Sequence, residues 1–197
     1  MDLAHAECRH PGLGAPSFTK GPRDIHQDDD TVWSNMWAEN ECLSPLHAEL
    51  FALVDQPVNW WVAVRWNAPA CMDLTLHIAD AGEPREKVKN RSPSLHIFTP
   101  ETPTTTYYFW AAGRTVKTDD RELDKQLQVG FTHVFETEDK PVIAAQQEAM
   151  GTPDLWALNP VLLVGDGGGV RARRVLAKKI ADEQKQGLSV VDNKKQA

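Results

Sequence analysis

The sequence predicts an α+β fold in which an antiparallel β-sheet is covered by a long C-terminal helix. Two observations predict it: apolar and polar residues alternate through the middle of the chain, and a helical apolar stripe lies near its end. The 197 residues are enough for one well-buried domain. We expect this domain to span residues 1–187 and residues 188–197 to form a polar tail.

Alternation with a period of two marks the predicted strands, because successive side chains of a strand point to opposite faces of the sheet. Residues 11–30 are rich in Pro, Gly and Asp and show no periodicity, so we expect a loop there. Residues 79–93 are polar and are expected to be exposed. Four segments are predicted to pair as antiparallel strands: residues 58–66 and 71–78 from this alternation, and residues 94–98 and 104–112 as the two arms of a hairpin around TPETP.

Two helices are predicted in the second half of the chain. The segment DKPVIAAQQEAM begins at Asp139, tolerates Pro141 in its first turn and is expected to stop at Gly151. Residues 170–184 form an amphipathic helix with Asp166 as a candidate N-cap. This helix is expected to pack across the concave face of the sheet through one stripe: Ala172, Val175, Leu176 and Ile180.

The composition limits the class of partner. With 41% apolar and 25% charged residues, the chain has the composition of an ordinary globular protein. The net charge of -7 and a pI near 5.5 argue against nucleic acid or an anionic membrane, which are bound by clustered Lys and Arg. Small molecules and other proteins remain as partners.

The cysteines and the apolar segments predict the compartment. Cys8, Cys42 and Cys71 are an odd number at irregular spacing, which does not build a disulfide framework. The sequence shows no secretory leader and no run of 18 apolar residues. We therefore expect a cytoplasmic protein without a membrane partner.

The most informative pattern is Asp2-x-x-His5-x-x-x-x-His10. Residues three apart share a helix face, so Asp2 is placed to bond one nitrogen of His5 while the other nitrogen faces a metal. Residues five apart diverge by about 140° on a helix, so His10 reaches the same ion only if the helix distorts or ends. Pro11 and Gly12 supply such an end. The alternative is a pair of surface histidines in an N-terminal tail.

Two imidazoles do not complete a metal site, so a third ligand is expected from a distant part of the chain. Asp139 lies where an acidic cluster meets an apolar helix, and it is placed to point inward while Glu136 and Glu138 stay solvated. The alternative is that Asp139 only interacts with the helix dipole. With His5 and His10 it would form the set of two histidines and one carboxylate used by non-haem Fe(II) oxygenases, which leaves positions open for O2.

A second iron motif is incomplete. The residues C-R-H at positions 8–10 have the spacing of the first half of a Rieske cluster site, which also needs C-x-x-H downstream. Neither Cys42 nor Cys71 has a histidine three positions later. We therefore reject a Rieske site in this sequence.

Four stretches of sequence, taken in order, carry a family resemblance. They are the D-x-x-H-x-x-x-x-H start with its H-P-G, LHIFTPETPTTTYYFWAAGR, EDKPVIAAQQ and DGGGVRARRVLAKKIADE. Together they resemble the catalytic domain of Rieske-type aromatic ring-hydroxylating oxygenases, and especially the vanillate O-demethylase oxygenase group. The resemblance runs from residue 1 to about residue 184.

The resemblance implies a helix-grip fold of the START and Bet v 1 type, with Fe(II) held by His5, His10 and Asp139. It implies a catalytic role for Asp2, which bridges to the Rieske centre of a neighbouring subunit in a homo-oligomer, a trimer. It also implies electrons from NAD(P)H, passed by a reductase and a [2Fe-2S] Rieske cluster. Because this sequence does not encode that cluster, the chain is expected to lack the upstream Rieske domain and to be inactive without a Rieske partner.

The sequence departs from the family pattern at two positions and offers one further site residue. Tyr107 stands where the family usually has His, and Ala144 stands where it usually has Glu, which affects second-sphere contacts and substrate preference. His96 matches a position that faces the substrate pocket in related enzymes, so it is a candidate substrate-binding residue. The alternative for His96 is a strand histidine bonded to backbone or solvent.

The function predicted on this basis is O2-dependent O-demethylation or hydroxylation of an aromatic acid. The rival is a non-enzymatic helix-grip domain that binds an apolar or aromatic ligand and leaves the metal site unused. A third possibility is a zinc hydrolase, because two histidines and one aspartate also suit zinc. Metal analysis separates the three.

Overall fold

The computed structural model describes residues 4–15 and 17–185, without the side chains of residues 4, 7 and 8. Six strands form one antiparallel sheet in the order β1-β2-β3-β4-β5-β6, so each strand pairs with its neighbour in sequence. The predicted α+β class with an antiparallel sheet is confirmed. The strands are β1 Arg23–Asp28, β2 Thr31–Glu41, β3 Val58–Asn67, β4 Cys71–Asp80, β5 Asn90–Pro100 and β6 Thr106–Ala112.

The four predicted strands correspond to β3, β4, β5 and β6, which pair antiparallel as expected. The loop expected at residues 11–30 was wrong, because it contains the short helix α2 (Ser17–Lys20) and strand β1. Strand β1 lies at the sheet edge and none of its residues is fully buried, so its sequence carries no apolar alternation. Residues 90–93 of the segment expected to be exposed belong to β5.

The helices with buried residues pack against one face of the sheet. α5 confirms the helix predicted from Asp139, and it ends at Gly151, whose φ of 63° is the left-handed conformation that glycine favours. A turn of π-helix, Val134–Asp139, joins α4 to α5 and was not predicted. The α-helices are α1 Ala4–Arg9, α2 Ser17–Lys20, α3 Pro45–Phe51, α4 Arg121–His133, α5 Lys140–Met150 and α6 Gly167–Lys185, and two 3-10 helices lie at Leu155–Leu158 and Val164–Asp166.

The main core lies on one face of the sheet, where α1, α2 and α3 cover it. Alternate residues of β3 are buried on this face, and the largest of them, Trp60, is 2% exposed. Phe18 of α2 packs its ring 5.6 Å from the ring of Trp60. Each such apolar side chain contributes roughly 1.5–3 kcal/mol by leaving water. The core therefore fixes the position of the N-terminal helices against the sheet.

Helix α6 packs on the β1–β2 end of the sheet. Its residues Ala172 and Val175 are buried in a second core cluster with Val32 and Trp66. The predicted stripe is shorter than expected, because Ile180 is 45% exposed. Asp166 directly precedes this helix, and its carboxylate accepts a hydrogen bond from the backbone N–H of Leu163 at the preceding 3-10 turn.

No helix in the described part of the chain combines the length and the apolar character needed to cross a membrane.

Candidate metal centre

The first helix presents two histidines to one place. His5 lies on α1, and the backbone N–H of His10 donates to the carbonyl of Ala6 as the helix ends. The carbonyl of His10 then accepts from Leu13 and Gly14, which turns the chain away from the helix. The two imidazole rings are 5.1 Å apart between centroids and nearly perpendicular, at 79°. The expected end of the helix at His10 thus brings the rings together.

The π-helical turn brings a carboxylate to the same place. Asp139 is its last residue, and its Oδ1 lies 3.2 Å from Nε2 of His10 and 3.8 Å from Nε2 of His5. One ligand atom from each of these three residues lies within 4.8 Å of the other two. The structure therefore brings together the three candidate ligands that the sequence predicts from distant parts of the chain.

The arrangement fits a metal ion. Two ligand atoms at right angles, each about 2.1 Å from one ion, lie roughly 3 Å apart. The separation of 3.2 Å between Asp139 and His10 is close to this spacing, and the separation of 3.8 Å between Asp139 and His5 is longer. Two neutral imidazoles with one carboxylate on one side of an ion form the facial set that suits Fe(II) and leaves positions open.

Sequence reasoning missed Glu138. It was expected to be solvated, but its side chain is only 22% exposed and its Oε2 lies 2.7 Å from Nδ1 of His10. The backbone carbonyl of Glu138 also accepts from Nε of Arg9 at 2.9 Å. Glu136 behaves as expected: it is 57% exposed and pairs with Lys140. The consecutive carboxylates Glu138 and Asp139 therefore lie against the two different nitrogens of His10.

This contact decides which nitrogen of His10 is available. A carboxylate accepts but does not donate, so Nδ1 of His10 carries the proton that bonds Glu138. With a metal ion between the three residues, Nε2, 3.2 Å from Oδ1 of Asp139, would be the nitrogen left to bind it. A histidine held by a carboxylate in this way has a fixed ring orientation and a more basic ligand nitrogen.

Asp2, the predicted bridge to His5, lies outside the described residues. His5 is the most exposed of the three candidate ligands, with 48% of its side chain accessible, whereas the His10 side chain is 6% exposed.

A cavity of about 240 Å³ lies beside the cluster, between the core face of the sheet and the π-helical turn. His5, His10 and Asp139 form part of its wall. The rest is mostly apolar and aromatic, and includes Trp60, Val62, Leu74, Trp110, Phe131 and Phe135. Apolar walls with a few polar groups are typical of a small-molecule site.

His96 lies in the wall of this cavity and is 7% exposed. Its ring nitrogens contact side chains instead of backbone or solvent. Nε2 lies 2.9 Å from Oγ of Ser94, and Nδ1 lies 2.6 Å from the hydroxyl of Tyr108. Burial lowers the pKa of His96. Burial and the nearby charge of Asp139 both raise the pKa of Tyr108.

His47 is a further cavity residue that the sequence did not indicate. It follows Ser44 at the start of α3, and its Nδ1 lies 2.8 Å from the Ser44 hydroxyl. Burial lowers the pKa of His47 to about 4. The ring is therefore neutral at neutral pH. No periodicity or motif in the sequence distinguishes this histidine from a surface residue.

The fold and the cluster together define a class: an α+β domain with an antiparallel sheet whose aromatic cavity ends at two histidines and one carboxylate. Residues 1–182 match the family "Vanillate O-demethylase oxygenase C-terminal domain", and the chain belongs to this family.

The relatives agree with this assignment. The chain is 30% identical over 184 residues to the "Chloroacetanilide N-alkylformylase, oxygenase component" of Rhizorhabdus wittichii, covering 93% of this chain and 53% of that protein. It resembles the crystal structure of dicamba monooxygenase bound to 3,6-dichlorosalicylic acid, with a TM-score of 0.79, 28% identity and coverage of 93% and 54% of the two chains.

A second crystal structure, dicamba monooxygenase with non-heme iron and dicamba, matches with a TM-score of 0.60, 27% identity and coverage of 83% and 50%. The chain thus spans about half the length of the relatives that it matches. The likeness confirms the predicted fold and the predicted family.

Proposed function

We propose that this chain is the catalytic domain of a non-haem Fe(II) oxygenase that uses O2 to demethylate or hydroxylate an aromatic substrate. The observation that carries the proposal is the convergence of His5, His10 and Asp139 at one end of an aromatic cavity. Membership of a family named for an O-demethylase supports the reaction type. The sequence predicts an aromatic acid as the substrate, and the relatives are named for dicamba and a chloroacetanilide.

In this proposal His5, His10 and Asp139 hold the iron. Bound Fe(II) supplies positions at which O2 is activated next to the substrate. The iron named in the dicamba monooxygenase structure supports this choice of metal for a domain of the same family. A zinc hydrolase would use the same donor set, so the identity of the bound metal tests the proposal.

The protein's own residues bind the metal, orient the aromatic ring and exclude water. Glu138 keeps the proton of His10 on Nδ1 and so presents Nε2 to the metal. Trp60, Trp110 and Phe135 provide apolar surface for an aromatic ring and keep water from the reacting face. His96 and Tyr108 supply the polar contact that orients the ring.

The electrons are proposed to come from NAD(P)H through a reductase and a Rieske [2Fe-2S] cluster. Asp2 is proposed as the group that links His5 to that cluster. The names of the relatives as oxygenase components support the need for partner proteins. A homotrimer remains the proposed assembly, and the exposed apolar residues 161–164, with Val161 87% exposed, support an interface between protein surfaces.

A reducing cytoplasm is the proposed compartment. The thiols of Cys42 and Cys71 are both free and exposed, which is compatible with a reducing environment.

Anaerobic reconstitution with Fe(II), followed by elemental analysis and equilibrium dialysis, tests the metal assignment. We expect one iron per chain, and Asp139→Ala is expected to lose most of the binding because it removes the only carboxylate of the donor set. Glu148→Ala, an exposed position on α5, is the matched control and should bind as the wild type does. Wild-type protein that takes up no iron would favour the non-enzymatic binder, and exclusive binding of zinc would favour the hydrolase.

A further inference from the structure

A second cavity, of about 590 Å³, adjoins the first along the outer edge of strand β6. The two cavities share part of their wall, including His47, Tyr108 and Phe131. Among the described residues, the candidate metal ligands line the first cavity only. The first cavity, about 240 Å³, is smaller than the roughly 300–1,000 Å³ of most small-molecule sites. A ligand beside the metal ligands therefore has room to extend into the second cavity.

Helix α4 faces the second cavity without burying any of its residues. The side chain of Arg114, which follows β6, donates to the carboxylate of Asp124 at the start of this helix. It also donates to the backbone carbonyls of Lys117 and Asp120, at 2.8 and 2.9 Å. These bonds tie the start of α4 to the end of β6 and leave the second cavity between helix and strand. Four residues with the spacing of one helix face line it from α4: Asp124, Leu127, Gln128 and Phe131.

The edge of β6 presents backbone groups to this cavity. In the described part of the chain, no strand pairs with the side of β6 that faces away from β5. In an antiparallel pair, residues that bond the neighbouring strand alternate with residues whose N–H and C=O point away from it. The N–H of Gly113 donates to the carbonyl of Pro93 on β5 at 2.8 Å, which places the odd-numbered residues of β6 in the bonded set. The N–H and C=O groups at the outer edge, in the wall of the second cavity, belong to Tyr108, Trp110 and Ala112.

The charged side chains of the second cavity are already paired. The Arg114 side chain is 8% exposed and is held by Asp124 and by backbone carbonyls. The hydrogen bond from Arg114 lowers the pKa of Asp124. His47 is neutral at neutral pH, because burial lowers its pKa to about 4. The groups left to meet a ligand in the second cavity are therefore mainly apolar surface and the neutral backbone edge of β6.

We infer that the second cavity is a subsite for an extended secondary amide substituent on the aromatic ligand whose ring lies in the first cavity. A secondary amide carries the N–H and C=O of a peptide unit, so it bonds the edge of β6 as an added strand would. The inference rests on the proposed function, because it names the substrate class of the same site.

Three uncharged probes test the inference by equilibrium dialysis at pH 7.5: N-propyl-3-methoxybenzamide, propyl 3-methoxybenzoate and methoxybenzene. The ester has the shape of the amide but lacks its N–H. We expect the amide to bind roughly 2- to 12-fold more tightly than the ester, the usual value of one neutral hydrogen bond. The ester is expected to bind more tightly than methoxybenzene, because its propyl group leaves water. Equal affinities for the amide and the ester would overturn the inference.

The dialysis is done on the metal-free chain and, without O2, on the chain loaded with Fe(II). The advantage of the amide over the ester is expected in both, because the metal ligands do not line the second cavity. An advantage seen only with Fe(II) would mean that the amide binds the ion, and would reject the subsite. The metal-free comparison needs no iron and no turnover, so its failure is distinguishable from a failure of the proposed oxygenase activity.

Gln128→Trp fills the second cavity from α4, at an exposed position in its wall. We expect it to reduce the affinity for the amide to near that for methoxybenzene, while methoxybenzene binds as it does to the wild type. Val129→Trp is the matched control, because Val129 is 71% exposed and lines neither cavity. It should bind all three probes as the wild type does. Equal weakening of the amide and methoxybenzene in Gln128→Trp would indicate a change of packing and would overturn the inference.

Backbone N–H signals in ¹⁵N-labelled chain test the contact with the strand edge. On adding the amide, the N–H signals of Trp110 and Ala112 are expected to shift more than those of Phe109 and Ala111, which bond β5. Equal shifts in the two sets would contradict bonding at the edge. A second copy of the chain paired along β6 would protect the Trp110 N–H from exchange before any ligand is added, and this result would also reject the subsite.

Discussion

Glu138 and Glu136 are two positions apart on the π-helical turn, yet they meet different surroundings. Glu138 bonds Nδ1 of the buried His10, whereas Glu136 is exposed and pairs with Lys140. Removing the carboxylate charge from Glu138 weakens its hydrogen bond to the His10 ring and lowers the basicity of the other ring nitrogen. We expect Glu138→Gln to weaken Fe(II) affinity by roughly 10- to 100-fold, measured by competition with a chelator.

Glu136→Gln is the control and is expected to retain wild-type affinity, because an exposed ion pair contributes little. Circular dichroism of both variants should match that of the wild type. Equal Fe(II) affinity in Glu138→Gln and Glu136→Gln would contradict the role assigned to Glu138.

A single residue, His47, also predicts that the stability of the fold depends on pH. Unfolded histidine titrates near pH 6.5, and burial lowers the pKa of folded His47 to about 4. Between these values the unfolded state binds the proton more readily, so the stability due to neutral His47 is fully present above pH 6.5 and is lost as the pH falls towards 4. The loss amounts to at most about 3 kcal/mol.

Urea unfolding at pH 7.5 and pH 4.5 measures this effect. We expect wild-type protein to lose more free energy of unfolding between the two pH values than His47→Gln does. The exposed His26→Gln should follow the wild type. A His47→Gln profile parallel to that of the wild type would show that His47 titrates normally in the folded chain.

At the scale of single elements, helix α6 contains one buried and one exposed apolar residue that can be compared. Val175 is 6% exposed and packs against Val32 and Trp66, whereas Ile180 is 45% exposed. We expect Val175→Ala to lower the free energy of unfolding by roughly 1–2 kcal/mol, through lost burial and a small cavity. Ile180→Ala is expected to change it by no more than about 0.5 kcal/mol. Urea denaturation distinguishes them, and equal effects would mean that α6 is not anchored through this face.

The elements also differ in how far the sequence determines them. β3 and β4 were predictable because one face of the sheet is buried there, which imposes alternation on residues such as Trp60 and Val62. β5 and β6 were predictable as the two arms of a hairpin around TPETP, although β6 has no buried residue. β1 was not predictable, since this edge strand has no buried residues and carries neither signal. The convergence of His5, His10 and Asp139 was predictable from the N-terminal motif, the acidic cluster around Asp139 and the family resemblance. The contact of Glu138 was not predictable, because the π-helical turn that carries Glu138 and Asp139 was not predicted from the sequence.

The partners of His96 depend on the sheet as a whole. Its contact with Tyr108 requires the register of β5 against β6, in which His96 is opposite Trp110 and Phe98 is opposite Tyr108. A sequence pattern predicts that two strands pair, but the register follows from the loop geometry between them. His96 was therefore identified as a candidate while its chemistry was not.

At the scale of the whole molecule, the proposed activity requires a source of single electrons. The sequence contains no complete Rieske motif, so we expect the purified chain to bind Fe(II) but not to oxidise substrate with NAD(P)H and reductase alone. Adding a Rieske partner should start turnover, measured as product formed per iron. Asp2→Asn is expected to keep the iron and lose turnover in the reconstituted system, and turnover without a Rieske partner would contradict this electron route.

The meander order of the sheet has a kinetic consequence. Every strand pairs with its neighbour in sequence, so the sheet forms by closing short loops. The contact between His10 and Glu138 instead joins residues 128 positions apart, and closing so long a loop before the sheet exists costs more chain entropy. We therefore expect the candidate metal ligands to meet only after the sheet has assembled. Bound metal should therefore slow unfolding and leave the refolding rate unchanged, because the ion stabilises contacts that form after the sheet.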